Sequence, residues 1–179
     1  AAVMEEQRED AMAIASKPTT SKVEQMLIQA VVKDGEKVIF RDVKDENSGQ
    51  TYNLTVAQYI AYDLGSDNLG FSNELYTKIL QEAVEHCGEE GFKAEEYFTQ
   101  HADINIASVA VRLSVDRFQL AESLQVKETE QTLRDRVIHL VADFRLEYVS
   151  SHLKELNERL LQVKDSQEMQ EIMSEIMRT

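Results

Sequence analysis

The sequence predicts a mainly α-helical protein: a compact helical bundle with one small β-hairpin, followed by a long helix and a truncated, protruding helical hairpin. Three observations predict this fold. Six Gly and one Pro in 179 residues supply too few turns for an all-β protein. Apolar residues recur at three- and four-residue spacing through most of the chain, which is the period of a helix. Lys127–Lys164 contains neither Gly nor Pro, so nothing local interrupts a helix there.

The same patterns divide the chain into three parts. Residues 1–20 are predicted to be a linker or a loose helix, because Lys17-Pro18 breaks the pattern and marks the start of the compact region. Residues 21–126 are predicted to form the helical bundle. Residues 127–179, which we call the arm, are predicted to form the long helix and the truncated hairpin.

Capping residues indicate where the helices of the bundle begin. Three candidate N-caps precede apolar helical patterns, and two of them have the spacing of a capping box: Ser21 with Glu24, Thr55 with Gln58, and Ser72. Phe71 and Tyr76 are placed to form a hydrophobic staple across the last of these caps. We expect Gly35, Gly65 and Gly88 to end the three helices. Two more helices are expected, followed by a connection to the arm: Lys93–Gln100, Asp103–Arg117 and residues 118–125.

One stretch near residues 37–55 has the two-residue alternation of β-strands. Lys37–Val43 and Gln50–Thr55 are rich in β-branched and aromatic residues, and an acidic loop separates them, so they predict an antiparallel hairpin. The loop, which includes Asp45 and Gly49, has polar residues spaced in twos like a calcium loop. It lacks the Gly and the Glu that an EF-hand requires at defined positions, so we expect no calcium site.

Two apolar stripes run along the long helix of the arm. The second stripe is displaced from the first by one residue, or about 100° around the helix axis, with the change near Tyr148–Val149. We expect the first stripe to dock on the bundle and the second to face another helix. The two stripes are Leu133, Val137, Leu140, Phe144 and Tyr148, and then Val149, Leu153, Leu156, Leu160 and Val163.

That other helix is predicted to follow a turn near Asp165. Asp165 or Ser166, with Glu168, has the pattern of a helix N-cap. A third apolar stripe follows it: Met169, Ile172, Met173 and Ile176. A continuous helix over Lys127–Lys164 would be about 57 Å long, so part of it should project from the bundle. The alternative is that Lys127–Met177 forms one uninterrupted coiled-coil helix that dimerises, although the change of face argues against a single seam.

The charge distribution narrows the possible partners. The net charge is −14; residues 1–126 carry 11 basic and 22 acidic side chains, and residues 127–179 carry 8 and 11. An acidic bundle repels phosphate backbones, so we expect no direct binding of nucleic acid. One Cys permits no internal disulfide, and no apolar run is long enough to span a membrane. These features predict a soluble, cytoplasmic protein without membrane association.

No pattern in the sequence indicates catalysis or a bound cofactor. The run from Gly65 to Gly70 lacks the spacing and the lysine of a phosphate-binding loop. His86 and Cys87 are more simply a His at a helix C-terminus and a buried thiol than a metal site, since no second Cys–His pair exists. The other polar candidates are two acidic pairs and three further histidines, scattered along the sequence: Glu89-Glu90, Glu95-Glu96, His101, His139 and His152. The residues therefore predict an interaction domain and not an enzyme.

A resemblance to the C-terminal region of bacterial DnaG-type DNA primases is carried by two runs, LGFSNELYTKILQEAVEHCGEEGF (Leu69–Phe92) and ADINIASVAVRLSVDRFQLAES (Ala102–Ser123). Two more runs are similar to the same region in one lineage of those proteins: VVKDGEKVIF (Val31–Phe40) and LNERLLQVKDSQEMQEIMSEIM (Leu156–Met177). Together the resemblance covers most of Val23–Met177. Its motifs are apolar patterns and not catalytic residues.

The resemblance implies a helical bundle followed by a helical hairpin, which binds the N-terminal domains of the hexameric replicative helicase and recruits primer synthesis to the replication fork. It also implies a parent DNA primase, a DNA-directed RNA polymerase whose zinc-binding and catalytic domains are absent here. Zinc and a divalent metal would belong to those domains, so no cofactor is expected in this chain. The β-hairpin over Lys37–Thr55 departs from the shorter, all-helical versions of the region.

On this resemblance, we expect the helicase to contact the turn of the arm through a few apolar anchors and a charged rim. The expected residues are Leu160, Leu161 and Met169 as anchors, and Arg159, Lys164 and Glu168 as the rim. Leu160 and Met169 could equally pack inside the hairpin, whereas Leu161 lies off the stripe. Two other hypotheses are a self-associating coiled-coil module and part of a nucleotidyltransferase site, which the acidic surface opposes. We expect a monomer and not a homodimer.

Overall fold

The computed structural model describes residues 20–124, 128–163 and 166–179, with the side chains of residues 116–124 outside this description. In these ranges the chain forms a helical bundle with one two-stranded antiparallel sheet, which confirms the predicted fold class. The elements in order are α1 (Lys22–Asp34), β1 (Val38–Lys44), β2 (Thr51–Thr55), α2 (Val56–Ser66), α3 (Glu74–His86), α4 (Ala94–Thr99), α5 (Ile104–Leu124), α6 (Glu130–Gln162) and α7 (Ser166–Arg178). The loose helix or linker expected over residues 1–20 lies almost entirely outside the described residues.

Helix α1 is the centre of the bundle, because its neighbours pack around most of its circumference. It contacts α2, α3, α4, α5 and α6. Five of its apolar side chains are fully buried: Leu27, Ile28, Ala30, Val31 and Val32. Ser21 caps its N-terminus by accepting a hydrogen bond from the Glu24 backbone N–H, and Gly35 follows its last residue, as the sequence predicts. None of the described helices is long and apolar enough to span a membrane.

The Glu24 side chain is buried, and it does not close the predicted capping box with Ser21. Its carboxylate instead accepts hydrogen bonds from the Ser72 hydroxyl, at 2.9 and 3.1 Å, and from the Asn73 backbone N–H at 3.1 Å. Asn73 is the N-cap of α3, so the prediction that Ser72 caps this helix is wrong by one residue. The physical reason is that the Ser72 hydroxyl is committed to a carboxylate 48 positions earlier in the chain.

The β-hairpin forms where the sequence predicts it, and its register has two irregularities. Val38 pairs with Thr55, Phe40 with Leu54, and Val43 with Tyr52, so β1 has an extra residue at two places. Asp42, in the second of these, adopts a positive φ of 52°. A β-bulge bends the bulged strand and increases its twist. The hairpin leads directly into α2 through the predicted capping box of Thr55 and Gln58.

Helix α5 is longer than the sequence indicates. The pattern predicts a helix over Asp103–Arg117 with residues 118–125 as a connection, but the helix continues without a break from Ile104 to Leu124. No Gly or Pro occurs in this stretch to end the helix earlier. The expectation of a separate connection is therefore wrong.

The first half of α6 docks on the bundle, as the first apolar stripe predicts. Its inward side chains are buried: Leu133, Val137, Leu140, Val141 and Phe144. Arg136 donates to the buried Asp34 carboxylate at the end of α1, at 3.2 Å. Arg145 donates to the Asp63 carbonyl in α2 at 2.9 Å, and pairs with the Asp67 carboxylate at 2.7 Å. These contacts fix the direction in which α6 leaves the bundle.

The second half of α6 carries α7, which turns back and packs against it. Tyr148 ends the first stripe as an exposed residue, and Leu156 is fully buried on the displaced stripe. The predicted change of face is thus present. Helix α6 ends at Gln162 and Val163 has an extended backbone, so the alternative of one uninterrupted coiled-coil helix is wrong. Helix α6 has 33 residues and is about 50 Å long.

Candidate partner-binding site at the tip of the arm

The tip of the arm is the reversal between α6 and α7, which we define as residues 159–163 and 166–169. Leu156 of α6 and Ile172 of α7 are both buried, although neither belongs to the core of the bundle. They form a small second core between the two helices. The ring of His152 lies 3.7 Å from the Glu175 carboxylate and links the helices near the same level.

The expected anchor residues occupy different environments at this tip. Leu161 is 87% exposed and Met169 is 39% exposed, while Leu160 is half-buried. Leu160 therefore packs partly inside the hairpin, which was the alternative to a contact with a partner. Leu161 is exposed and accessible to a partner. Arg159 and Glu168 are exposed, as expected for a rim, and Lys164 lies outside the described residues.

The apolar residues of α7 have two different environments, which their spacing in the sequence does not distinguish. Ile172 is buried and Ile176 half-buried, so these two residues pack against α6. Met169 and Met173 are exposed, and so is Met177 one turn later, which the sequence-based prediction did not include. Their four-residue spacing, visible in the sequence, could have shown that the three methionines share a face.

The N-cap expected for the second helix of the arm is only partly described. Ser166 is the first residue of α7, so it lies inside the helix and is not its cap. Asp165, the other candidate, lies outside the described residues. An acid in the first turn of a helix interacts favourably with the partial positive charge there, and Glu168 occupies this position.

The arrangement at the tip suits non-covalent binding to a protein surface. Flexible apolar side chains lie beside charges of both signs, and unbranched Met residues adapt to irregular partner surfaces. Among the described residues, no group of three or more His, Cys, Asp or Glu side chains is placed to hold a metal ion.

Elsewhere, the structure brings together two histidines that are distant in the sequence. The Tyr97 hydroxyl donates to the Glu82 carboxylate at 3.0 Å and lies 3.2 Å from Nε2 of His86. Nε2 of His101 lies 2.7 Å from the same Glu82 oxygen. Burial, and then the hydrogen bond to Glu82, raise the pKa of Tyr97. Its neutral hydroxyl therefore remains a donor.

This polar cluster attaches α4 and the following turn to α3. The Nδ1 atom of His101 accepts from the Asp103 backbone N–H at 2.9 Å, which leaves Nε2 to donate to Glu82. The contacts join residues of α3, α4 and the start of α5, and each polar group has a partner within the fold. We interpret the cluster as structural. Cys87, the C-cap of α3, donates its thiol to the Val84 carbonyl at 3.1 Å.

A family model described as "Domain of unknown function (DUF8430)" matches residues 6–179, nearly the whole chain. No curated protein and no solved structure matches the chain.

Proposed function

The chain belongs to the DUF8430 family, and we propose that it is the helicase-binding domain of a bacterial DnaG-type DNA primase. In this role it binds the N-terminal domains of the hexameric replicative helicase and recruits primer synthesis to the replication fork. The observation that carries the proposal is the exposed Leu161 near the end of the long helix of the arm. The similarity of four sequence runs to the C-terminal region of those primases supports the choice of partner.

The exposure of Leu161 supports a contact with a partner. A fully buried leucine side chain is about 1.5–3 kcal/mol more favourable than an exposed one. Among the described residues of the arm, none buries Leu161, which is 87% exposed, whereas Leu156 and Ile172 are buried. Binding energy at interfaces is concentrated in a few such anchors surrounded by a polar rim. Arg159 and Glu168 would supply that rim, together with Lys164.

The proposal assigns binding, and no catalysis, to this chain. The polymerase activity, the zinc and the catalytic divalent metal belong to other domains of the parent primase. The acidic bundle disfavours contact with DNA or RNA, so the chain acts through protein contacts. A cytoplasmic monomer is the form that would reach the replication fork.

A pull-down with the hexameric replicative helicase of the same genome tests the site. We expect the wild-type chain to retain the helicase, and the double variant Leu161→Asp, Arg159→Glu to lose most of it. Leu146→Asp is the matched control, because Leu146 is an exposed leucine of α6 nearer the bundle. Full retention by the double variant would overturn the assignment of the tip.

The exposed methionines of α7 favour self-association as a second candidate function. Met169, Met173 and Met177 share a face and could pair with a second copy of the arm. Sedimentation equilibrium over a wide concentration range distinguishes the candidates. A monomer at all concentrations excludes the dimer, whereas a dimer that Met173→Glu dissociates would support it.

A further inference from the structure

We propose that the β-hairpin and α2 form a pocket that binds an arginine side chain from a basic segment of another protein. This site is separate from the tip of the arm and goes beyond the proposed recruitment of a helicase. The pocket has a volume of about 540 Å³, and both strands, their loop and α2 line it. It would give a function to the hairpin.

The pocket has aromatic rings on its floor and its rim. Phe40 and Tyr59 form the floor, with ring centroids 5.0 Å apart. Tyr52 and Tyr62 line the opening and are 42% and 68% exposed. The faces of aromatic rings attract cations, and a planar guanidinium can also stack on them. Four rings around one cavity are therefore suited to an arginine side chain.

The protein already shows this attraction on one of the four rings. The guanidinium carbon of Arg134, in α6, lies 5.8 Å from the centroid of Phe40. This distance is within the range of a cation–π interaction. This contact within the protein shows that a guanidinium can lie beside a ring that lines the pocket.

The charges that line the pocket also favour a cation. Two acids, Asp45 and Glu46, and one base, Lys44, contribute to its wall. Hydrogen bonds from the Ser48 hydroxyl and the Asn47 backbone N–H lower the pKa of Asp45, so this carboxylate stays ionised. Glu46 is exposed and can pair with an incoming guanidinium. The positive charge of Lys44 repels a bound cation, so removing this charge should strengthen the binding of arginine.

The acidic composition of the chain up to residue 126 points to a basic segment of protein as the source of the arginine. The 22 acidic and 11 basic side chains of residues 1–126 attract positively charged chains and repel nucleic acids. Tyrosine is among the residues most enriched at sites that carry binding energy. The proposed occupant is therefore an extended peptide segment that presents arginine.

The proposal can be tested by NMR titration of the full chain with acetyl-Gly-Arg-Gly-amide. The matched peptide contains citrulline, which replaces the guanidinium with a neutral urea group of similar shape. We expect saturable shifts in β1, β2 and α2, and binding that is at least about fivefold weaker for the citrulline peptide. Equal binding of the two peptides, or shifts spread evenly over the acidic surface, would overturn the proposal.

Variants then assign the binding to the pocket. Tyr52→Ala with Tyr62→Ala and, separately, Glu46→Gln should each weaken the arginine peptide, whereas Lys44→Gln should strengthen it. These side chains are exposed, so the variants should fold. Tyr148→Ala, an exposed tyrosine of α6, is the control and should leave the affinity unchanged. Unchanged affinity in the Tyr52/Tyr62 double variant would refute the site.

Discussion

Replacing Leu156 with Ala should detach α7 from α6 and leave the bundle intact. Leu156 is fully buried, and with Ile172 it forms the small core of the arm, outside the core of the bundle. Leu→Ala substitutions at buried sites cost about 2–5 kcal/mol. Helix α7 has only 13 residues, and isolated helices of this length are marginal in water, so α7 depends on this packing.

The expected cost can be converted into a rate of hydrogen exchange. A loss of about 3 kcal/mol in the free energy of local opening corresponds to an increase of roughly 100-fold in exchange of the α7 amides. Amides of α1 and α3 should keep their wild-type exchange rates, because their core does not include Leu156. Hydrogen exchange followed by mass spectrometry or NMR measures both sets of amides in one experiment.

Leu161→Ala is the control, because it removes the same atoms from a side chain that is 87% exposed. It should change exchange in α7 by less than about threefold, as expected for a surface substitution within about 0.5 kcal/mol of neutral. Two results would contradict the predicted role of Leu156. One is unchanged protection of α7 in Leu156→Ala, and the other is a parallel loss of protection in the bundle.

Three further predictions concern polar groups of the bundle and of its contact with α6. Glu24→Ala should lower the free energy of unfolding by about 3 kcal/mol, because it removes the acceptor of the Asn73 N–H in a buried site. A decrease of less than about 1 kcal/mol in the free energy of unfolding, measured by urea denaturation, would contradict this prediction. Arg136→Met should cost about 1–2 kcal/mol by removing one donor from the buried Asp34. In a double-mutant cycle with Asp34→Asn, strictly additive losses would argue against that coupling. Hydrogen bonds, first from a backbone N–H and then from a lysine, lower the pKa of Asp103 below its ordinary value of 3.8. The ionised Asp103 therefore stabilises the fold above pH 3.8, and this stabilisation is lost as the pH falls through the depressed pKa. Asp103→Asn should remove this part of the acid dependence of stability, which urea denaturation at several pH values measures.

The sequence is most informative where the relevant contacts are local or periodic. Thr55 and Gln58 form the predicted capping box because both members lie within one helical turn. The change of face at Tyr148–Val149 is visible because a displacement of one residue rotates the apolar stripe by about 100°. Both features depend on helix geometry alone.

The sequence is least informative where a distant residue decides the outcome. Ser72 has the spacing of an N-cap, but Glu24 from another helix takes its hydroxyl and leaves Asn73 as the cap. The association of His86 with His101 depends in the same way on the packing of α4 against its neighbours.

The two candidate binding sites differ in how far the sequence could predict them. The exposure of Leu161 follows from its position off the apolar stripe, so the sequence could predict it. The pocket beside Tyr62 could not be predicted, because it is lined by a hairpin whose register is irregular at two places and by α2. Alternation predicts strands, but it does not predict where an extra residue interrupts their register.

The most direct test of the proposed function is a calorimetric titration of this chain with the N-terminal domain of the hexameric replicative helicase from the same genome. We predict saturable binding that weakens at least tenfold in the Leu161→Asp, Arg159→Glu variant and is unchanged in Leu146→Asp. Absence of heat from the wild-type chain at concentrations where the helicase domain is folded and hexameric would contradict it.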